Sequence, residues 1–141
     1  MRSEQTKLAR LRRLEKVRAL AKQQAALQAA AAEGTLAQLS ALAARTQAMA
    51  NGYRDLSAIG DGQALRQLAQ FTLGLAGITH ATSRDAASAQ TTADQLQQEL
   101  ALAERRRAAV EDRAAAGERA LAQRQSHPAS AARRQIGTGL E

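Results

Sequence analysis

The sequence predicts an all-α chain, a long antiparallel two-helix coiled-coil hairpin with a flexible C-terminal tail. Three observations predict it. Two long stretches carry apolar residues at alternating spacings of three and four. A Gly60-Asp61-Gly62 break separates them. The residues that build strands or layered cores are nearly missing: there is one Tyr, one Phe and no Trp, and Ala supplies most of the 45% hydrophobic content. Ala, Leu, Gln, Glu and Arg are strong helix formers, and small side chains let two helices approach closely.

The first helix is expected over about residues 4–56, which hold no Pro. Its expected seam runs through positions 7, 11, 14, 18, 21, 25, 28, 32, 35, 39, 42, 46, 49, 53 and 56, ten of which are apolar. Leu8, Val17, Leu20 and Leu27 form a second stripe beside it. The turn is placed at about 57–62, because Gly tolerates positive φ and Asp favours turns. The second helix is expected over about 63–125, with a seam at 65, 68, 72, 75, 79, 82, 86, 89, 93, 96, 100, 103, 107, 110, 114, 117 and 121. Residues 1–125 would then form the hairpin, each arm roughly 80–95 Å long at ~1.5 Å per residue. A reversal near Gly60 sets residues whose numbers total about 121 against each other: Tyr53 on Leu68, Ala25 on Leu96 and Leu11 on Val110. The two seam arginines, Arg18 and Arg107, would run their stems along the seam and their charges outward. Pro128 is expected to stop the second helix, leaving 126–141 as the tail.

Charge is uneven. The formal net charge is +7. Residues 1–22 carry eight Lys/Arg against two Glu, whereas residues 23–103 carry four Arg against six acids. A segment this basic suits an acidic protein surface, nucleic acid or anionic lipid. Cysteine is absent, so no disulfide or thiolate metal site exists. Residues 1–8 have no apolar core of a signal peptide, and no apolar run reaches membrane-spanning length. A cytoplasmic location is expected.

Catalytic chemistry finds no footing in the sequence. His80 and His127 have no partner at metal-ligand spacing. Gly74-Leu75-Ala76-Gly77 lacks the Lys-Ser/Thr of a phosphate loop. No Ser/His/acid set can be assigned. The expectation is a non-enzyme without cofactor, metal or small-molecule substrate. One local feature stands out instead: Met49 and Tyr53 on the first helix, and Phe71, Leu75 and Ile78 on the second, gather both aromatics near the turn. They either widen the core there or form an apolar docking patch.

The layout resembles the flagellar export protein FliJ family, small components of the bacterial type III export apparatus. The resemblance rests on Lys7-Leu8-Ala9-Arg10-Leu11, Gly52-Tyr53-Arg54, Leu68-Ala69-Gln70-Phe71 and Glu104-Arg105-Arg106-Arg107. It implies a stalk that inserts into a hexameric export ATPase and links it to a membrane export-gate protein, with export chaperones as further partners. Flagellum assembly, motility and chemotaxis would depend on it, and the protein would sit peripherally at the inner face of the cell membrane. Mapped residue by residue, Met49, Tyr53, Phe71, Leu75 and Ile78 would dock the gate. Arg10, Arg12, Arg13, Lys16, Arg105, Arg106 and Arg113 would face the ATPase. Two alternatives stay open, an injectisome stalk and a basic coiled coil for nucleic acid. The lack of aromatics among the basic residues argues against the last.

Overall fold

The computed structural model describes the backbone of residues 1–56 and 61–135, with side chains for 1–56 and 61–127. Two helices account for these residues: α1, Arg2–Leu56, and α2, Gly62–Gln135. They pack against each other as an all-helical hairpin without strands among the described residues. Residues 57–60 of the expected turn, and 136–141 of the expected tail, lie outside the described residues. Asp61 acts as the N-cap of α2. Its Oδ1 accepts from the Ala64 backbone N–H at 2.9 Å, and its carbonyl accepts from Leu65 N–H at 3.0 Å, satisfying donors that a helix start leaves open.

The helix does not stop at Pro128. The α2 backbone continues to Gln135, ten residues beyond the expected end. Proline in a helix interior removes one N–H donor and crowds the carbonyl four residues back, at roughly 3 kcal/mol. That cost is local, and Ala129, Ala131, Ala132, Arg133, Arg134 and Gln135 beyond it include strong helix formers.

The chain divides into two compact units. One joins Met1–Gln24 to Leu100–Glu141, and the other spans Ala25–Glu99. In the 25–99 unit the α1 seam is Ala25, Ala29, Ala32, Leu36, Leu39, Ala43, Thr46, Ala50 and Tyr53. On α2 it runs from Leu68 through Thr72, Leu75, Thr79, Thr82, Ala86, Ala89 and Ala93 to Leu96. Ala29, Ala50, Ala93 and Leu75 are buried. Thr46 and Thr82 are also buried, and their hydroxyls donate to backbone carbonyls one turn back, Leu42 O at 3.1 Å and Ile78 O at 2.8 Å. Burial therefore leaves no unsatisfied hydroxyl. The Tyr53 and Phe71 rings meet edge to face, centroids 4.8 Å apart at 77°, and Gln97 donates to Glu33 at 2.6 Å.

In the other unit the α1 seam is Glu4, Leu8, Leu11, Glu15, Arg18 and Lys22. On α2 it is Leu100, Ala103, Arg107, Val110, Ala114, Gly117 and Leu121. Val110 and Ala114 are buried. Leu8 Cδ1 lies 3.5 Å from where a Cβ on Gly117 would sit.

Two further expectations are corrected. The α2 seam is as expected from 68 to 121, with only Leu65 exposed. On α1, alternate positions move by one: residues 7, 14, 21, 28, 35, 42, 49 and 56 are exposed, and 8, 15, 22, 29, 36, 43 and 50 are covered instead. The observed seam, counted from Glu4 to Tyr53, also holds ten apolar residues in fifteen. The apolar count ties, so packing decides. The pairing shifts as well, by about one turn. Tyr53 meets Phe71 rather than Leu68, and Leu8 meets Gly117, so facing numbers total 124 to 125. A ring on a ring buries more surface than Tyr53 on Leu68 would.

Candidate protein-docking surfaces

Each helix pair has two flanks bordering its seam. In the unit of 1–24 and 100–141 one flank is filled by ion pairs. Glu104, Glu111 and Glu118 recur every seventh residue along α2. Arg12 Nε donates to Glu118 at 2.9 Å and its Nη1 to Glu15 at 2.7 Å. Lys22 reaches Glu104 at 2.7 Å, while Arg107 spans Glu104 at 2.9 Å and Glu111 at 2.7 Å. Arg124 pairs with Glu4. Hydrogen bonds from Arg107 first, then Lys22, lower the Glu104 carboxyl from 4.5 to about 2. The Arg124 hydrogen bond lowers Glu4 as well. Glu118 and Glu15 raise Arg12, and Glu104 raises Arg107.

Glu104 therefore makes stability depend on pH. Its folded-state value lies below the unfolded one, so its contribution is present at neutral pH and is lost as pH falls from about 4.5 towards 2. Thermal melts across that window should show a smaller acid loss for Glu104→Gln, which starts less stable at pH 7. Equal pH slopes for both proteins would refute the assignment.

Of the expected ATPase-facing residues, Arg10, Arg13, Lys16, Arg105, Arg106 and Arg113 are exposed and in no ion pair among the described residues. Arg12 differs, because Glu15 and Glu118 already engage it. All seven fall within one unit.

The expected gate-docking residues fall within the other unit. Met49, Phe71 and Ile78 are exposed, at 43%, 47% and 52%. Tyr53 is half-buried against Phe71. Leu75, at 6% exposed, belongs to the core and offers no docking surface while the helices are paired. Leu42 and Leu56, which lie on the seam expected from the spacing, are exposed large side chains. Leu42, Met49 and Leu56 recur every seventh residue on α1, and Phe71 and Ile78 do so on α2. Each stands three residues beyond a seam position, so in an antiparallel pair both rows border the same flank. The signal for this row was the seven-residue repeat itself, which the tied seam absorbed.

Among the described residues no group of His, Asp and Glu could hold a metal ion, and no helix is long and apolar enough to cross a membrane. His80 and His127 are exposed.

No family model, curated protein or solved structure matches this chain. Its surfaces therefore carry the functional argument alone.

Proposed function

We propose that this chain is a non-enzymatic stalk of a bacterial type III export apparatus, of the flagellar kind, acting by bridging protein partners. One observation carries the reading: the two units leave different chemistry without a partner among the described residues. One unit presents unpaired Arg10, Arg13, Lys16, Arg105, Arg106 and Arg113. The other presents exposed Leu42, Met49, Leu56, Phe71 and Ile78. Exposed cations suit acidic loops of a hexameric ATPase pore, where complementary charge speeds encounter and selects the partner. An exposed apolar row with an aromatic at its centre suits a protein docking site, which in this reading is the membrane export gate. The protein would then work in the cytoplasm at the inner face of the cell membrane.

The test is reconstitution. The purified chain should co-elute with a hexameric export ATPase and raise its turnover. An Arg10→Glu/Arg13→Glu variant should lose both effects at unchanged helicity. No complex and an unchanged rate would overturn the stalk reading. The unpaired cations also favour a second reading, nucleic-acid binding. It predicts gel-shift affinity that falls steeply with salt.

A further inference from the structure

Charge in the unit of 1–24 and 100–141 is sorted by flank. Five of its six described carboxylates, Glu4, Glu15, Glu104, Glu111 and Glu118, are engaged in the ion pairs above, and Asp112 points away from both flanks by its heptad position. The opposite flank is built from rows three residues beyond the seam. On α1 these are Lys7, Leu14 and Ala21, and on α2 Arg106, Arg113 and Ala120. The next row outward adds Arg10 and Val17 on α1 and Leu102 on α2. Among the described residues no carboxylate falls in any of these rows.

The flank is also apolar at its floor. A groove of about 260 Å³ opens between Leu8, Leu11, Gly117, Ala120 and Leu121, with Lys7 and the Glu4–Arg124 ion pair at its rim. It continues past Lys7 and Leu11 to Arg10 and Leu14. Leu14, at its end, and Val17, the next exposed apolar residue along α1, extend this apolar surface.

We propose that this flank is the docking groove for an acidic amphipathic helix of a partner protein, which lays Leu-type side chains on Leu11, Leu14 and Val17 and its carboxylates against Lys7, Arg10, Arg106 and Arg113. Three features select that occupant. Apolar floor and cationic rim run together along the helix axes, which matches the i, i+3, i+4, i+7 anchors of a helix in a groove. The backbone on both sides is helical and internally hydrogen-bonded, so no strand can be added to it. A second copy of this flank would bring the same cations together with only Glu4, already held by Arg124, to offset them. The inference does not rest on the export reading; it concerns the chemistry of the partner segment, whatever protein supplies it.

The experiment uses the full chain and a labelled peptide of about 14 residues, roughly 21 Å as a helix, with Leu at helical spacing and Glu on both sides. A scrambled peptide of identical composition is the control. Fluorescence anisotropy should show saturable binding of the patterned peptide, at least about tenfold tighter than the scrambled one, with a gain in helicity on mixing. Leu14→Gln and Arg106→Glu/Arg113→Glu should each weaken it by about tenfold or more, the effect of roughly one apolar side chain or one to two ion pairs. Arg66→Glu, an exposed change in the other unit, should leave it unchanged. Circular dichroism confirms that each variant still folds. Equal binding of the two peptides, or no binding of either, would overturn the proposal. So would concentration-dependent dimerisation that Leu14→Gln abolishes, since the groove would then hold a second copy. Failure of the ATPase reconstitution with success here would sink the export reading alone.

Discussion

Leu75→Ala lowers the stability of the hairpin by about 2–4 kcal/mol, while Ile78→Ala, three residues along the same helix, changes it by less than about 0.5 kcal/mol. The two residues lie near one another in the expected docking set but do different work. Leu75 is 6% exposed and stands in the seam, so its truncation removes transfer free energy and leaves a cavity between helices. Ile78 is 52% exposed, and Ala has the better helix propensity. Urea or thermal unfolding of the two variants checks this. If Ile78→Ala proved as destabilising as Leu75→Ala, the exposed row would be core and the gate-docking surface would lose its basis. If the stalk reading is right, Ile78→Ala is the variant that separates partner binding from folding.

Arg18→Leu should act in the opposite direction, raising stability by about 1–2 kcal/mol. Arg18 occupies a seam position, and its Nε is buried with no hydrogen-bond partner. An unsatisfied buried donor carries a desolvation cost of about 1–3 kcal/mol, and Leu would replace it with apolar contact. The pairing that sets Leu8 on Gly117 puts Arg18 level with Arg107. Arg107 is already neutralised by Glu104 and Glu111. An increase in melting temperature of several degrees, roughly 3–8 °C, is expected. An unchanged or lower value would mean that Arg18 is satisfied in solution and earns its place energetically. The polar layer has a compensating use. A seam of Ala and Leu alone tolerates slippage by a turn, whereas the ion pairs of Glu15, Lys22 and Arg107 add a preference for one register.

How far the sequence alone reaches differs between the two helices. Around the α2 seam the neighbouring positions are largely Gln, Arg, Ser, Asp and Ala, so one phase of the 3/4 pattern holds more apolar residues than any other, although Phe71, Leu73, Ile78 and Leu102 lie off it. That phase is the one that packs. On α1, Leu14, Leu42, Met49 and Leu56 lie one position from the true seam, while Glu4, Glu15, Arg18 and Lys22 lie on it. Large apolar side chains outside and ions inside reverse the usual cue, and two phases score alike. Residues 14, 42, 49 and 56 are also those that the candidate surfaces use. The local rule fails at the residues to which the proposed partner contacts assign a role.

The candidate sites follow the same logic. That cations gather within about 22 residues of the N-terminus was visible in composition. That Arg12 is taken by Glu118 while Arg10 and Arg13 have no ion pair among the described residues was not, because Arg12 and Glu118 are 106 residues apart in the chain.

Sequence by itself determined that the chain is helical, that it doubles back between residues 56 and 62, and which face of α2 is apolar, since these follow from propensity and periodicity within single helices. Tertiary structure decided the phase of α1, the one-turn shift in pairing and the sorting of charge onto one flank. Those depend on which side chains fit together across the seam, and the free energy of fit belongs to pairs of residues far apart in the chain, so no count along one helix contains it.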